Sequence, residues 1–116
     1  MTVFIGGKER SVLVNSNMTL ELYIQHIDIN ATSSEVYAAV YASLYAGDYR
    51  ERQGKGESAF TFGEVMEWVD EAENEVIKTI CDAFTETKKY KDFLAAFNDK
   101  LRSMAGDKKK APRKKA

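Results

Sequence analysis

The chain has 116 residues, 44% hydrophobic and 30% charged, which fits one small globular domain and excludes a wholly disordered chain. Its net charge of −1 divides into an acidic body (residues 1–106, seventeen acidic and eleven basic groups) and a basic end (residues 107–116, six basic and one acidic), so the body offers no basic face for phosphates. A single cysteine, Cys81, excludes an intrachain disulfide framework, and no apolar run reaches the roughly 20 residues of a membrane span.

The N-terminus lacks the basic start and long apolar stretch of a signal peptide, so a reducing, cytoplasmic setting is expected. Thr2–Ile5 and Ser11–Val14 are β-favouring runs. Gly6-Gly7-Lys8-Glu9 between them predicts a hairpin with a loop longer than two residues. A lone hairpin is marginal in water, so it must lie on helices or pair with another strand.

Asn15-Ser16-Asn17 is a cluster of cap residues. Leu20, Tyr23, Ile24 and Ile27 then follow at the spacing of an amphipathic helix. Thr32 and Glu35 have the spacing of a capping box. The helix they open has no charged residue from Val36 to Gly47, where it is expected to end or fray. Residues 50–59 read as a polar, glycine-containing loop. Thr61 and Glu64 repeat the capping-box spacing, and Val65, Val69, Ala72, Val76 and Ile80 continue one apolar face, with a kink expected near Asn74. Tyr90, Phe93, Leu94, Phe97, Leu101 and Met104 mark a last amphipathic helix.

The fold expected is mostly α, of the α+β kind. An N-terminal β-hairpin precedes a four- to five-helix domain within residues 1–106, and a disordered basic tail occupies 107–116. Val40, Leu44, Val69, Ile80, Phe93 and Phe97 are the expected core.

Catalytic and metal chemistry is sparse. His26 is the only histidine and has no cysteine near it in sequence, which does not make a zinc ligand set. Cys81 follows Ile80 on an apolar helix face, the place of a buried structural thiol. Gly54-Lys55-Gly56 lacks the spacing of a phosphate-binding loop. Glu64, Glu67 and Glu71 share a helical face that suits a divalent cation, yet a solvated acidic face is the simpler reading, and no calcium-loop pattern is present. The serines sit in no nucleophile elbow. The chain is therefore not expected to be an enzyme, and no cofactor is expected.

The informative surfaces are aromatic. Tyr37, Tyr41, Tyr45 and Tyr49 recur every four residues beside Val36, Val40 and Leu44. A helix apolar all round belongs at the centre of the domain. The alternative is that the tyrosine stripe faces another protein, since tyrosine joins a large contact area to a polar tip. On that reading Tyr37, Tyr41, Tyr45 and Trp68 are the candidate partner-binding residues, and self-association is an option. Trp68 otherwise covers the edge of the core. Nucleic acid is not expected as a partner except through Lys108, Lys109, Lys110, Arg113, Lys114 and Lys115.

The order of segments resembles the tail assembly chaperones of long-tailed bacteriophages. The residues that carry the likeness are the N-terminal hairpin, Leu20-Glu21-Leu22-Tyr23, the small-residue helix from Tyr37 to Ala46, and the run from Phe60 to Asp70. Ile80-Cys81-Asp82-Ala83-Phe84 and a lysine-rich end complete it. A Thr-x-x-Glu-Val turn entering a helix that closes on Val-Asp or Ile-Asp is common in that family; here it is Thr61 to Val65 and Val69-Asp70. The resemblance implies a non-catalytic protein that binds the tape measure protein, brings tail tube protein to it, and is absent from the finished virion. It also implies an option of a longer frameshifted form, with Lys108 to Lys110 marking the place of a slippery codon run. Other readings are a head–tail connector or another virion subunit, and a small nucleic-acid-associated regulator acting through the basic tail.

Overall fold

A computed structural model describes residues 1–28, 31 and 34–110, with the backbone alone over 104–110. Two strands, β1 (Thr2–Ile5) and β2 (Lys8–Ser11), form an antiparallel hairpin. Five helices follow: α1 (Asn17–His26), α2 (Ser34–Arg52), α3 (Phe62–Glu71), α4 (Asn74–Thr85) and α5 (Lys88–Lys110). This is the expected hairpin and helical domain, with five helices. Among the described residues no helix is long and apolar enough to cross a membrane.

The hairpin differs from expectation in register. Ile5 pairs with Lys8, so the loop is only Gly6-Gly7, and β2 covers 8–11 instead of 11–14. Both glycines have positive φ, 63° and 84°, as a two-residue type I′ turn requires. The tight turn pulls the charged run Lys8-Glu9-Arg10 into the strand and releases Val12 to Val14. Leu13 N–H instead donates to the Ser43 carbonyl of α2, at 3.0 Å.

Helix starts follow their caps. Ser16 Oγ accepts from Thr19 N–H at the start of α1. Thr61 and Glu64 form a complete capping box on α3: Thr61 N–H donates to Glu64 Oε1 at 2.9 Å, and Glu64 N–H to Thr61 Oγ1 at 3.2 Å. Thr87, buried between α4 and α5, donates its hydroxyl to the Phe84 carbonyl and accepts from Tyr90 N–H. The expected box at Thr32 and Glu35 cannot be placed, because Thr32 lies outside the described residues. The kink expected near Asn74 is a full break: α3 stops at Glu71, and α4 starts again at Asn74 on the same apolar side.

Helix α2 is the axis of the domain. Ala38 to Leu44, Ala46 and Gly47 are all buried. On one side the hairpin, α3 and α4 close over it, burying Ile5, Val12, Val40, Leu44, Val65 and Ile80. On the other side α1, α4 and the start of α5 pack Tyr23, Ala38, Ala39, Ala42 and Phe84. Each fully buried Leu, Ile, Val or Phe contributes about 1.5–3 kcal/mol relative to exposure. Gly47 does not end the helix, which continues to Arg52. It is instead the point where the Ser11 carbonyl touches α2, a contact that any Cβ would block.

Three core expectations need correction. Val69, Phe93 and Phe97 are half-buried, whereas Val40, Leu44 and Ile80 are fully enclosed. Phe93 and Phe97 belong to α5, and from Lys91 to Ser103 they are the only residues that are even half-covered. At about 1.5 Å per residue, the helix is long enough to outrun the small body beneath it. The protein is correspondingly elongated, with extents of 57 × 28 × 23 Å. The basic tail expected over 107–116 falls at the end of α5 and beyond it. Residues 111–116 lie outside the described residues, as do the side chains of 104–110.

Candidate functional site

A partly exposed apolar surface lies along α5. A groove of about 280 Å³ runs between that helix, the C-terminal end of α1 and the first residue of α2. Tyr23 and Ile27 form one wall, and Phe93, Leu94, Phe97 and Leu101 form the other, with Asp28 and Glu35 at the rim. The floor is a chain of rings. Tyr23 meets Phe84 at 4.8 Å and Phe93 edge-on at 6.0 Å, and Phe93 stacks on Phe97 at 5.6 Å. Burial, and then neighbouring Tyr90, raise the Tyr23 pKa, so its hydroxyl stays neutral. Leu94 and Leu101 are 37% and 42% exposed.

Leu94, Phe97 and Leu101 recur at spacings of three and four, so they share one face of α5. Periodicity marks these residues as part of an amphipathic helix and places Phe97 in the core. What it does not show is how far the body extends, and the body stops short of Leu101.

The tyrosine stripe is split by the fold. Tyr41 is 9% exposed and packs among His26, Phe60 and Phe62, which moves it from candidate partner contact to core. Tyr37 is half-buried and donates its hydroxyl to Asp70 at 2.5 Å, tying α2 to α3. That bond raises the Tyr37 pKa. Tyr45 is half-buried and Tyr49 exposed; with Arg52, Phe60 and Phe62 they line a shallow second groove. The central placement of α2 accounts for the pattern, since a helix surrounded by neighbours cannot offer four tyrosines to one outside partner.

Trp68 is half-buried at the core edge. Its ring lies 5.5 Å from Phe60, and the Arg10 guanidinium sits 4.2 Å from its centroid. Arg10 is held in place by donating to the Ile5 and Gly6 carbonyls. Trp68 thus locks the hairpin onto α3.

The reactive side chains lie apart. The His26 ring lies against Tyr41 and Phe62, with Nδ1 2.8 Å from the Leu22 carbonyl. Cys81 is half-buried between the two core clusters, and burial raises its thiol pKa, which disfavours the nucleophilic thiolate. Among the described residues, no hydrogen bond joins Cys81 to His26, and no group of three or more His, Cys, Asp or Glu is arranged to hold a metal ion. Around Gly54-Lys55-Gly56, Arg52 donates to the Lys55 and Gly56 carbonyls. Gly54 and Lys55 N–H groups donate to α2 carbonyls. The loop therefore turns carbonyl oxygens inward, the opposite of an anion nest.

No family model, curated protein or solved structure matches the chain.

Proposed function

We propose that this chain is a non-catalytic assembly protein that binds a helical protein partner along α5. More specifically, we propose that it acts as a phage tail assembly chaperone, with the tape measure protein as that partner and tail tube protein recruited to the complex. The observation that supports partner binding is the run Phe93, Leu94, Phe97 and Leu101, an apolar helix face that the described residues leave partly uncovered. Leu94, Phe97 and Leu101, at i, i+3 and i+7, form an apolar stripe that suits an amphipathic helix. The acidic body helps a complex with an apolar partner stay in solution. The choice of tape measure protein rests on the resemblance in segment order and in the run from Phe60 to Asp70. On this reading the protein works in the cytoplasm of the host cell.

Co-expression with the tape measure protein from the same phage tests it. The partner is expected to be soluble only when this chain is present, and the chain is expected to be absent from purified virions. Recovery of the chain in virions would favour a connector or other structural subunit.

A further inference from the structure

A second surface is independent of α5 and of the function proposed for it. Val12 N–H donates to the Met1 carbonyl at 2.7 Å, which makes positions 1 and 12 a hydrogen-bonded pair. Alternation along an antiparallel ladder then makes Val3–Arg10 and Ile5–Lys8 bonded pairs as well. It follows that the N–H and C=O groups of Thr2 and Phe4 point away from β2. No bond from another described element meets them. The two edges of the hairpin are unlike. β2 is charged, and α2 closes over its end through the Ser11–Gly47 contact. β1 has no charge, proline or bulge, and Phe4 is 67% exposed, so only its shortness protects this free edge.

That edge borders a groove. Between the turn end of the hairpin, Phe4 to Gly7, and the α3–α4 corner lies a volume of about 480 Å³, with Trp68, Ala72 and Val76 as its apolar wall and the exposed Glu71 and Glu73 beside them. Backbone donors and acceptors on one side, an apolar wall on the other and two carboxylates above define a single kind of occupant. We propose that β1 receives an extended segment of a partner protein, added as a third strand, with apolar residues alternating with Lys or Arg. Its backbone pairs with Thr2 and Phe4, its apolar side chains face Trp68 and Val76, and its basic groups reach Glu71 and Glu73. β1 is four residues long, so the paired segment is about four to six residues.

The test uses the full chain and the blocked hexapeptide Lys-Val-Lys-Val-Lys-Val, read by amide chemical shifts and hydrogen exchange. Binding is expected to shift the Thr2 and Phe4 amides and slow their exchange. Methylating alternate peptide nitrogens on the pairing edge is expected to weaken binding at least tenfold, and Glu71→Gln with Glu73→Gln about fivefold, with the circular dichroism of the variant unchanged. The matching Glu-Val peptide is expected not to bind. Equal binding of the methylated peptide would reduce the contact to charge alone and overturn strand addition. Equal binding of the acidic peptide, or no binding of the basic one, would overturn the proposal. Concentration-dependent protection of Thr2 and Phe4 without peptide would assign the edge to a second copy of the chain and overturn the partner assignment.

Discussion

Ser11 lays its backbone carbonyl against the bare Cα of Gly47, and this contact joins the end of the hairpin to the C-terminal half of α2. A Cβ at Gly47 would meet the Ser11 carbonyl oxygen, and it would lie 2.6 Å from the Ser11 carbonyl carbon and 2.9 Å from Val12 N. All three are backbone atoms and cannot swing aside. In an exposed helix, Gly→Ala stabilises by about 1 kcal/mol. Here the sign is expected to reverse, with Gly47→Ala costing roughly 2 kcal/mol through overpacking. Urea unfolding of the two proteins checks it.

The end of α2 carries the opposite opportunity. Gly54 N–H donates to the Tyr49 carbonyl and Gln53 N–H to the Arg50 carbonyl, the paired bonds of a Schellman motif. Gln53 occupies the left-handed position at φ 56°, where a side chain is strained and glycine is not. Gln53→Gly is expected to stabilise the protein by about 0.5 kcal/mol, because relief of that strain slightly exceeds glycine's added chain entropy. The measurement is the denaturation midpoint at unchanged slope.

Ser43 lies in the centre of α2 with no exposure, and its hydroxyl has no hydrogen-bond partner among the described residues. A buried unsatisfied hydroxyl costs about 1–3 kcal/mol. Ser43→Ala keeps the Leu13–Ser43 backbone bond and removes only the orphaned oxygen. The variant is expected to gain about 1 kcal/mol in unfolding free energy, measured by chemical denaturation.

Alkaline pH is expected to weaken the fold. Tyr23 and Tyr41 have pKa values raised above 10.0, and Cys81 above 9.0, in each case first by burial. The folded state therefore holds these protons more tightly than the unfolded chain. The associated stability is complete below pH 9 and falls as pH rises past 9 and then 10. Thermal midpoints from pH 7 to 11 check this, and Tyr23→Phe is expected to flatten the upper part of the curve.

Local rules were legible where one element decides its own shape. The Thr61–Glu64 box needs only spacing three and a helix start, and it is complete in the structure. Val40, Leu44 and Ile80 lie in the core that their periodicity predicts. The errors arose where a second element decides. Gly47 reads as a helix end until the Ser11 carbonyl is placed on it. Gly6-Gly7 reads as part of a longer loop until the Ile5–Lys8 pairing shows that two residues suffice. Tyr41 and Phe97 both sit on aromatic, helix-periodic faces, yet one is enclosed and the other only half-buried. That difference depends on α2 being central and α5 outrunning the body, which no local pattern encodes.

The solubility of co-expressed tape measure protein with Leu94→Glu, Leu101→Glu in this chain tests whether the exposed face of α5 holds the partner. Both side chains are more than a third exposed, so the double variant is expected to fold with a thermal midpoint close to that of the parent. The parent is expected to keep the tape measure protein in the soluble fraction, and the folded double variant to leave it in the pellet. Equal solubility with the parent, with the variant and with neither would contradict this expectation.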